Sequence, residues 1–352
     1  MPSLRLLPIG GEGPEHVLAD GRGGLLTGVA DGRVLRVAPV TGRVSALART
    51  GGRPMGMAFA PDGTLLVCDA ERGLLTVDLR SGTARTALTR ADGRPLRLCS
   101  NVTVARDGTV YLTDSSARYA LPHWPWDILE HSGTGRLIRW RPGERPETLL
   151  SGLHFANGVV LAPDESYAVV AESGAYRLTR LWLTGPRSGR AEPLADQLPG
   201  FPDNLTAGPD GLVWAALAGP RDPLVDFLHR SRPGLRRALG VLPTRALPRP
   251  RPSAWAVAVD ATGRVVRDVR RPAGRFRMTT SVCPLGGRLC LGSLLGSHLA
   301  VLEDAGGTGN PGGPGNPEDT ENAEVTEVTE NAEAATQPAA RAADGVSPDS
   351  GP

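Results

Sequence analysis

Acid or amide side chains recur at one point of successive repeats in this chain: Glu15 in GPEHV, Asn101 in CSNVTV, Asn157 in FANGVVL, and the neighbours Asp203 and Asn204 in FPDNLTAG. After most of them the text is the same: a short apolar run, a turn, a second apolar run, as in VTVARDGTVYLTD, VVLAPDESYAVVAE and LTAGPDGLVWAAL. A ring of repeats would aim such side chains at a common centre. Oxygen ligands gathered from separate repeats are what a hard cation such as calcium requires. Periods near 40 residues built of several short strands indicate propellers. The sequence therefore predicts an all-β fold, a six-bladed β-propeller centred on a metal.

Counting back seven residues from each turn locates the repeat starts. Asp210 leads to Asp203, Asp164 to Asn157, Asp107 to Ser100, Asp62 to Met55, and Gly286 in the last repeat to Thr279. The first repeat carries Glu15, with a shorter hairpin at Asp20-Gly21. Within each unit, apolar runs bounded by Asp-Gly and Gly-Gly turns carry the hairpin signature. With 45 Gly, 32 Pro and only 4% aromatics, short strands and tight turns suit the composition better than long helices. The innermost strand of a blade begins at the axial channel, so these positions are expected to face one another there.

The propeller is expected to span 1–304, with two insertions. Residues 117–134 (ARYALPHWPWDILEHSGT) hold His123, Trp124, Trp126 and His131; residues 220–252 space Leu224, Phe227, Leu228 and Leu235 as a helix. Loops of this length in a compact domain are commonly functional. From 305 to 352 the chain turns Gly/Pro/Glu/Thr-rich and is expected to be disordered. It holds nine acids against Arg341 alone, so the tail is net −8 and, with the whole chain at +2, the body +10. The arginines are scattered through turns rather than clustered with aromatics, which argues against a nucleic-acid partner. Cys68, Cys99, Cys283 and Cys290 form no CxxC pair, which argues against zinc. No apolar run of transmembrane length occurs, and the N-terminus does not read as a secretion signal. The expectation is a cytoplasmic protein, monomer or weak dimer, acting on a small molecule without a membrane partner.

From about residue 12 to 303 the chain resembles the strictosidine synthase-like family, in the pattern of the adipocyte plasma membrane-associated proteins. The wider superfamily includes paraoxonases, gluconolactonase/regucalcin and diisopropyl-fluorophosphatase. The motifs are GPEHV, GRPMGMAFAPDGTLLVCDA, VYLTDSSARY, TGRLIRW, FANGVVLAPDESYAVVAES, LPGFPDNL and GRLCLGSLLG. The resemblance implies six blades with one calcium on the axis, contacted by Glu15, Asn157, Asp203 and Asn204. An ungapped alignment puts Ser100 and Asn101 where the family's hydrolases have Asn-Asp. Either Ser100 or a water fills that ligand position, or a one-residue bulge brings Asn101 to it.

Two further departures bear on chemistry. The Glu with which strictosidine synthase condenses its substrates has no counterpart in GRFRMTTSVCP, and no paraoxonase-type His pair follows YLTD. The resulting expectation is a calcium-dependent hydrolase of a lactone, ester or phosphoester, with Asp203 or His154 as the catalytic base. The alternatives are a condensing enzyme or cyclase of the strictosidine synthase type, and a non-enzymatic ligand-binding propeller pinned by structural calcium.

Overall fold

The computed structural model describes residues 4–232, 234, 236, 252–272 and 274–303. The repeat turns explain how its sheets begin. Asp62, Asp107 and Asp210 each accept, through Oδ1, the backbone N–H two residues further on, at 2.9, 2.9 and 3.3 Å. The glycine after each aspartate sits at φ +84°, +83° and +76°, a region that costs glycine little. Apolar runs on either side of these turns then pair as antiparallel hairpins, and each repeat grows into a four-stranded sheet.

Among the described residues there are six such sheets. Blade 1 runs from Leu18–Ala19 out to Val44–Arg49, blade 2 from Pro54–Phe59 to Thr83–Leu88, and blade 3 from Cys99–Val104 to Glu147–Leu153. Blade 4 runs from Ala156–Leu161 to Ala191–Ala195 and blade 5 from Gly200–Ala207 to Val265–Arg271. Blade 6 combines Arg277–Leu285, Arg288–Leu295 and His298–Leu302 with the first strand of the chain, Leu4–Pro8, which pairs antiparallel with His298–Leu302. The ring is thus clasped by its two ends.

The apolar strands bury both faces because each sheet is sandwiched between neighbours. Leu66 and Cys68 of blade 2 pack with Val102 and Leu112 of blade 3, and Tyr111 and Leu137 of blade 3 pack with Val159 and Val170 of blade 4. Burial of a Leu or Val side chain stabilises by roughly 1.5–3 kcal/mol, so the inter-blade layers are the main source of stability. All four cysteines are free and buried, behaving as small hydrophobes.

Both insertions leave between the second and third strands of a blade. The second strand runs antiparallel to the first, so both depart beside the starts of the inner strands. The first forms the helix Trp124–Glu130; the second forms the helix Pro223–Arg230, capped by Asp222 Oδ1, which accepts Leu224 N at 2.8 Å. The helical spacing predicted in the second insertion splits: Leu228 is buried, whereas Leu224 and Phe227 are more than half exposed. Leu235 and the tail predicted to be disordered lie outside the described residues. Among the described residues, no helix is long and apolar enough to cross a membrane.

Candidate metal centre and cavity

The inner strands of blades 2 to 6 all break register with their partners at the repeat start: between Pro54 and Met57, Cys99 and Asn101, Ala156 and Val159, Pro202 and Leu205, and Thr279 and Ser281. Bulges re-aim side chains, and here the same device repeats around the ring. Its result is the floor of an axial cavity of about 700 Å³, lined by Glu15, Met55, Ser100, Asn157, Asp203 and Thr280, one residue from each blade. In the last blade the bulge turns Thr280 to the cavity. Thr279, the position indicated by the repeat count, instead donates to Ser253 O at 3.0 Å within blade 5.

Ser100 and Asn101 divide the two roles weighed for them. The bulge in blade 3 is present, yet Ser100 is the residue on the floor. Asn101 lies below it, fully buried, and its Nδ2 donates to Asn204 Oδ1. Asn204 in turn donates through Nδ2 to Glu15 Oε1 at 2.7 Å. The two amides form a relay that fixes one oxygen of Glu15 from beneath. On the opposite side, Ser100 Oγ donates to Asn157 Oδ1 at 3.4 Å, Asn157 Nδ2 to Ser173 Oγ at 3.4 Å, and Ser173 Oγ to Pro202 O at 2.5 Å.

Two oxygens escape this network. Glu15 Oε2 and Asp203 Oδ1 are buried and have no hydrogen-bond partner. A buried carboxylate oxygen without a partner is costly, so these two define where positive charge is wanted. Burial raises Glu15 to about 7, although the Asn204 hydrogen bond and the Arg53 guanidinium pull the other way. Burial also pushes Asp203 well above the usual carboxylate range, and the negative charge of Glu15 adds to the rise. Among the described residues no group of three or more His, Cys, Asp or Glu side chains is arranged to hold a metal ion. The floor instead joins two carboxylates to amide and hydroxyl oxygens, a hard, oxygen-only donor set that fits calcium.

The predicted base His154 is not brought to this floor. It lines a separate cavity of about 300 Å³ with His131 and His229, and its backbone N–H donates to Glu172 Oε2 at 2.9 Å. Glu172 itself pairs with Arg177 at 2.7 Å. The tryptophans of the first insertion part company: Trp124 lines the axial cavity, while Trp126 is buried with Leu129 and Leu228 between the two helices. Asp127 anchors that insertion, accepting Ser132 Oγ at 2.7 Å and Ser116 Oγ on the same Oδ2. The walls were not foreseen from the sequence. Leu98, Phe155, Phe201 and Met278 line the cavity, each two residues before a floor position, a regularity visible in the repeat texts themselves.

The strictosidine synthase family model matches residues 100–186, and the N-terminal model of strictosidine synthase-like proteins matches residues 1–37. The chain is 31% identical over 336 residues to strictosidine synthase-like protein 10 of Arabidopsis thaliana, covering 86% of this chain and 88% of that one. It is 32% identical over 249 residues to the adipocyte plasma membrane-associated protein of Rattus norvegicus, covering 64% and 65% of the two chains. Among solved structures, a gluconolactonase from Xanthomonas campestris superposes with a TM-score of 0.62 at 17% identity, over 86% of this chain and 89% of that one. A calcium-binding protein, regucalcin, from Agrobacterium tumefaciens gives a TM-score of 0.57 at 15% identity, over 84% and 90%. At such identities the structures speak for the fold, whereas the sequence relatives speak for kinship. A six-bladed propeller with these motifs in this order is a member of the strictosidine synthase-like family.

Proposed function

We propose that this protein is a calcium-dependent hydrolase acting on the carbonyl or phosphoryl centre of a lactone, ester or phosphoester. The observation that carries this reading is the pair of unpartnered carboxylate oxygens, Glu15 Oε2 and Asp203 Oδ1, on the floor of a cavity large enough for a small organic substrate. Glu15, Asn157 and Asp203 would hold the ion, with Ser100 offering a hydroxyl. The calcium-binding character of the regucalcin structure with the same fold agrees with this assignment. Bound calcium would supply Lewis acidity, stabilising the oxyanion that develops on the substrate.

The chain's own groups do the rest. With one oxygen of Asp203 on the ion, its other carboxylate oxygen is left to act as the base. Asp203 takes a proton from the water whose oxygen bonds to the acyl carbon or phosphorus, then returns it to the alkoxide that leaves as the ester bond breaks. Asn157 orients that carboxylate by hydrogen bonding, and the Asn101–Asn204 relay keeps Glu15 in register with it. The Trp124–Glu130 helix contributes the apolar side chains of Trp124, Pro125, Ile128 and Leu129 to the cavity wall.

The test combines calcium titration by calorimetry with turnover of aryl esters and lactones, with and without EDTA. The reading requires calcium binding, calcium-dependent turnover, and loss of turnover in folded Asp203→Asn protein. Calcium binding without turnover across the panel would reassign the ion to a structural role.

A further inference from the structure

Four large hydrophobic side chains stand exposed among the described residues: Val40, Leu224, Phe227 and Leu295. Single exposed hydrophobics are ordinary, but three of these four share one face of the ring. Leu224 and Phe227 belong to the helix Pro223–Arg230, and Leu295 ends the strand Arg288–Leu295, next to Leu294. Leu224 and Leu294 both line the axial cavity, so the three residues stand at its mouth. Val40 sits in the turn between Arg33–Val37 and Val44–Arg49, at the opposite end of the blades.

The helix holds an apolar side outward. At 3.6 residues per turn, Pro223, Leu224, Phe227 and Arg230 fall along one side, and all four are exposed. Leu228, on the inner side, packs with Trp126 and Leu129 of the first insertion. His229 Nε2 donates to Ile128 O at 2.7 Å, and Arg221 pairs with Asp226 at 3.2 Å, which fixes the helix in that orientation. The inner side is therefore committed, and turning the helix offers Leu224 and Phe227 no burial. At 63% exposure Phe227 keeps most of its ring in water, a cost that contact with an apolar phase would relieve.

Charge narrows the choice of partner. Residues 220–252 carry eight arginines against two aspartates, so this insertion is net +6. Within it Arg230 and Arg232 are exposed, and Arg270, from the last strand of blade 5, is exposed where it lines the axial cavity. Apolar tips set among arginines match the boundary between anionic headgroups and acyl chains, where phosphates meet the arginines and Leu or Phe enters below them. A second copy would bring the same positive face, and like charges oppose that pairing. A nucleic acid would satisfy the arginines but leave Leu224 and Phe227 in water. Among the described residues no helix is long and apolar enough to cross a membrane, whereas docking needs only one apolar side.

We propose that the mouth face docks peripherally on an anionic lipid bilayer, with Leu224, Phe227 and Leu295 entering the headgroup boundary and Arg230 and Arg232 meeting lipid phosphates. The docking goes beyond the hydrolase reading and stands without it, since it requires no turnover.

The test is sedimentation of the full chain with phosphatidylcholine vesicles that contain phosphatidylglycerol, and with vesicles of phosphatidylcholine alone. Partitioning should be at least about tenfold stronger onto the phosphatidylglycerol vesicles. It should fall at least about tenfold in the double variant Leu224→Ser, Phe227→Ser and in Arg230→Glu, Arg232→Glu, while Phe227→Leu and Val40→Ser retain it. Melting curves confirm that each variant is folded, and the arginine pair carries the test if the serine pair is not. No partitioning, equal partitioning onto both vesicles, or partitioning that survives in the folded double variants would overturn the proposal. Self-association in the analytical ultracentrifuge that the serine pair abolishes, without vesicle binding, would assign this face to a second copy and overturn it too. Calcium binding and ester turnover are read separately, so docking and the hydrolase reading fail independently.

Discussion

The imidazole of His131 stacks on that of His154 with ring centroids 3.6 Å apart and 28° from parallel. His229 leans on the pair at 4.1 Å and donates through Nε2 to Ile128 O at 2.7 Å. One ring comes from the end of the Trp124–Glu130 helix, one from the approach to blade 4, and one from the Pro223–Arg230 helix. Three elements at the cavity rim are thus joined by neutral rings.

Acid should loosen that junction. Burial lowers His131 to about 3, with His154 and His229 adding to the effect, and burial likewise lowers His154 and His229 below the free imidazole value. Glu172 and Asp226 oppose these shifts, whereas Arg177, Arg221 and Arg236 reinforce them. Because the folded values lie below the unfolded one, the stack's contribution is complete above about pH 6.5 and drains away as pH falls toward the folded values. At pH 5.5 the loss for His131, allowing for solvent screening of its partly exposed ring, is roughly 1 kcal/mol. Melting temperatures from pH 7.5 to 5 should therefore fall more steeply in the wild type than in His131→Gln. Parallel slopes would contradict the account.

Removing a ligand should stabilise the calcium-free protein. The folded value of Asp203 is raised, so its carboxylate destabilises the fold increasingly as pH climbs above the unfolded value. Urea denaturation in EDTA at pH 8 should show a higher midpoint for Asp203→Asn than for the wild type. The stabilisation conferred by added calcium should shrink in the same variant. A less stable variant in EDTA would mean that Asp203 is held by partners other than a cation.

Gly158 permits the inner strands of blades 4 and 5 to touch. A Cβ there would lie 2.3 Å from Leu205 N and 2.7 Å from Asn204 Cα, and Gly56 stands in the same relation to Asn101. Gly158→Ala must displace the backbone of Asn204, which holds Glu15. Chemical denaturation should record a loss of about 1–3 kcal/mol, and calorimetry at least a tenfold weaker calcium site. An unchanged calcium affinity would separate the relay from the floor.

The repeat texts made the blades legible because turn chemistry and apolar alternation are local. Ser100, Asn157 and Asp203 were placed on the floor by counting from turns, since hairpin geometry transmits the register, and Glu15 by its equivalent place at the start of the first repeat. The count missed Thr280 by one residue because the shift at Thr279–Ser281 depends on how Arg277–Leu285 pairs with its neighbour, which no local signal states. Asn101 and Asn204 looked equivalent to the floor residues, yet a bulge presents two successive side chains and only packing decides which of them turns below. His154 was misread toward the axis because its loop leaves the channel to meet insertions whose conformation is set by tertiary contacts.

The clasp between Leu4–Pro8 and His298–Leu302 has a temporal consequence. Thr280 Oγ1 donates to Glu15 O at 2.6 Å, so the floor joins residues 265 positions apart. Contacts so distant in sequence form late, after the loop-closure entropy has been met. The cavity floor is then among the last parts of the molecule to form, and its completion marks the moment when an open arc of blades becomes a closed ring.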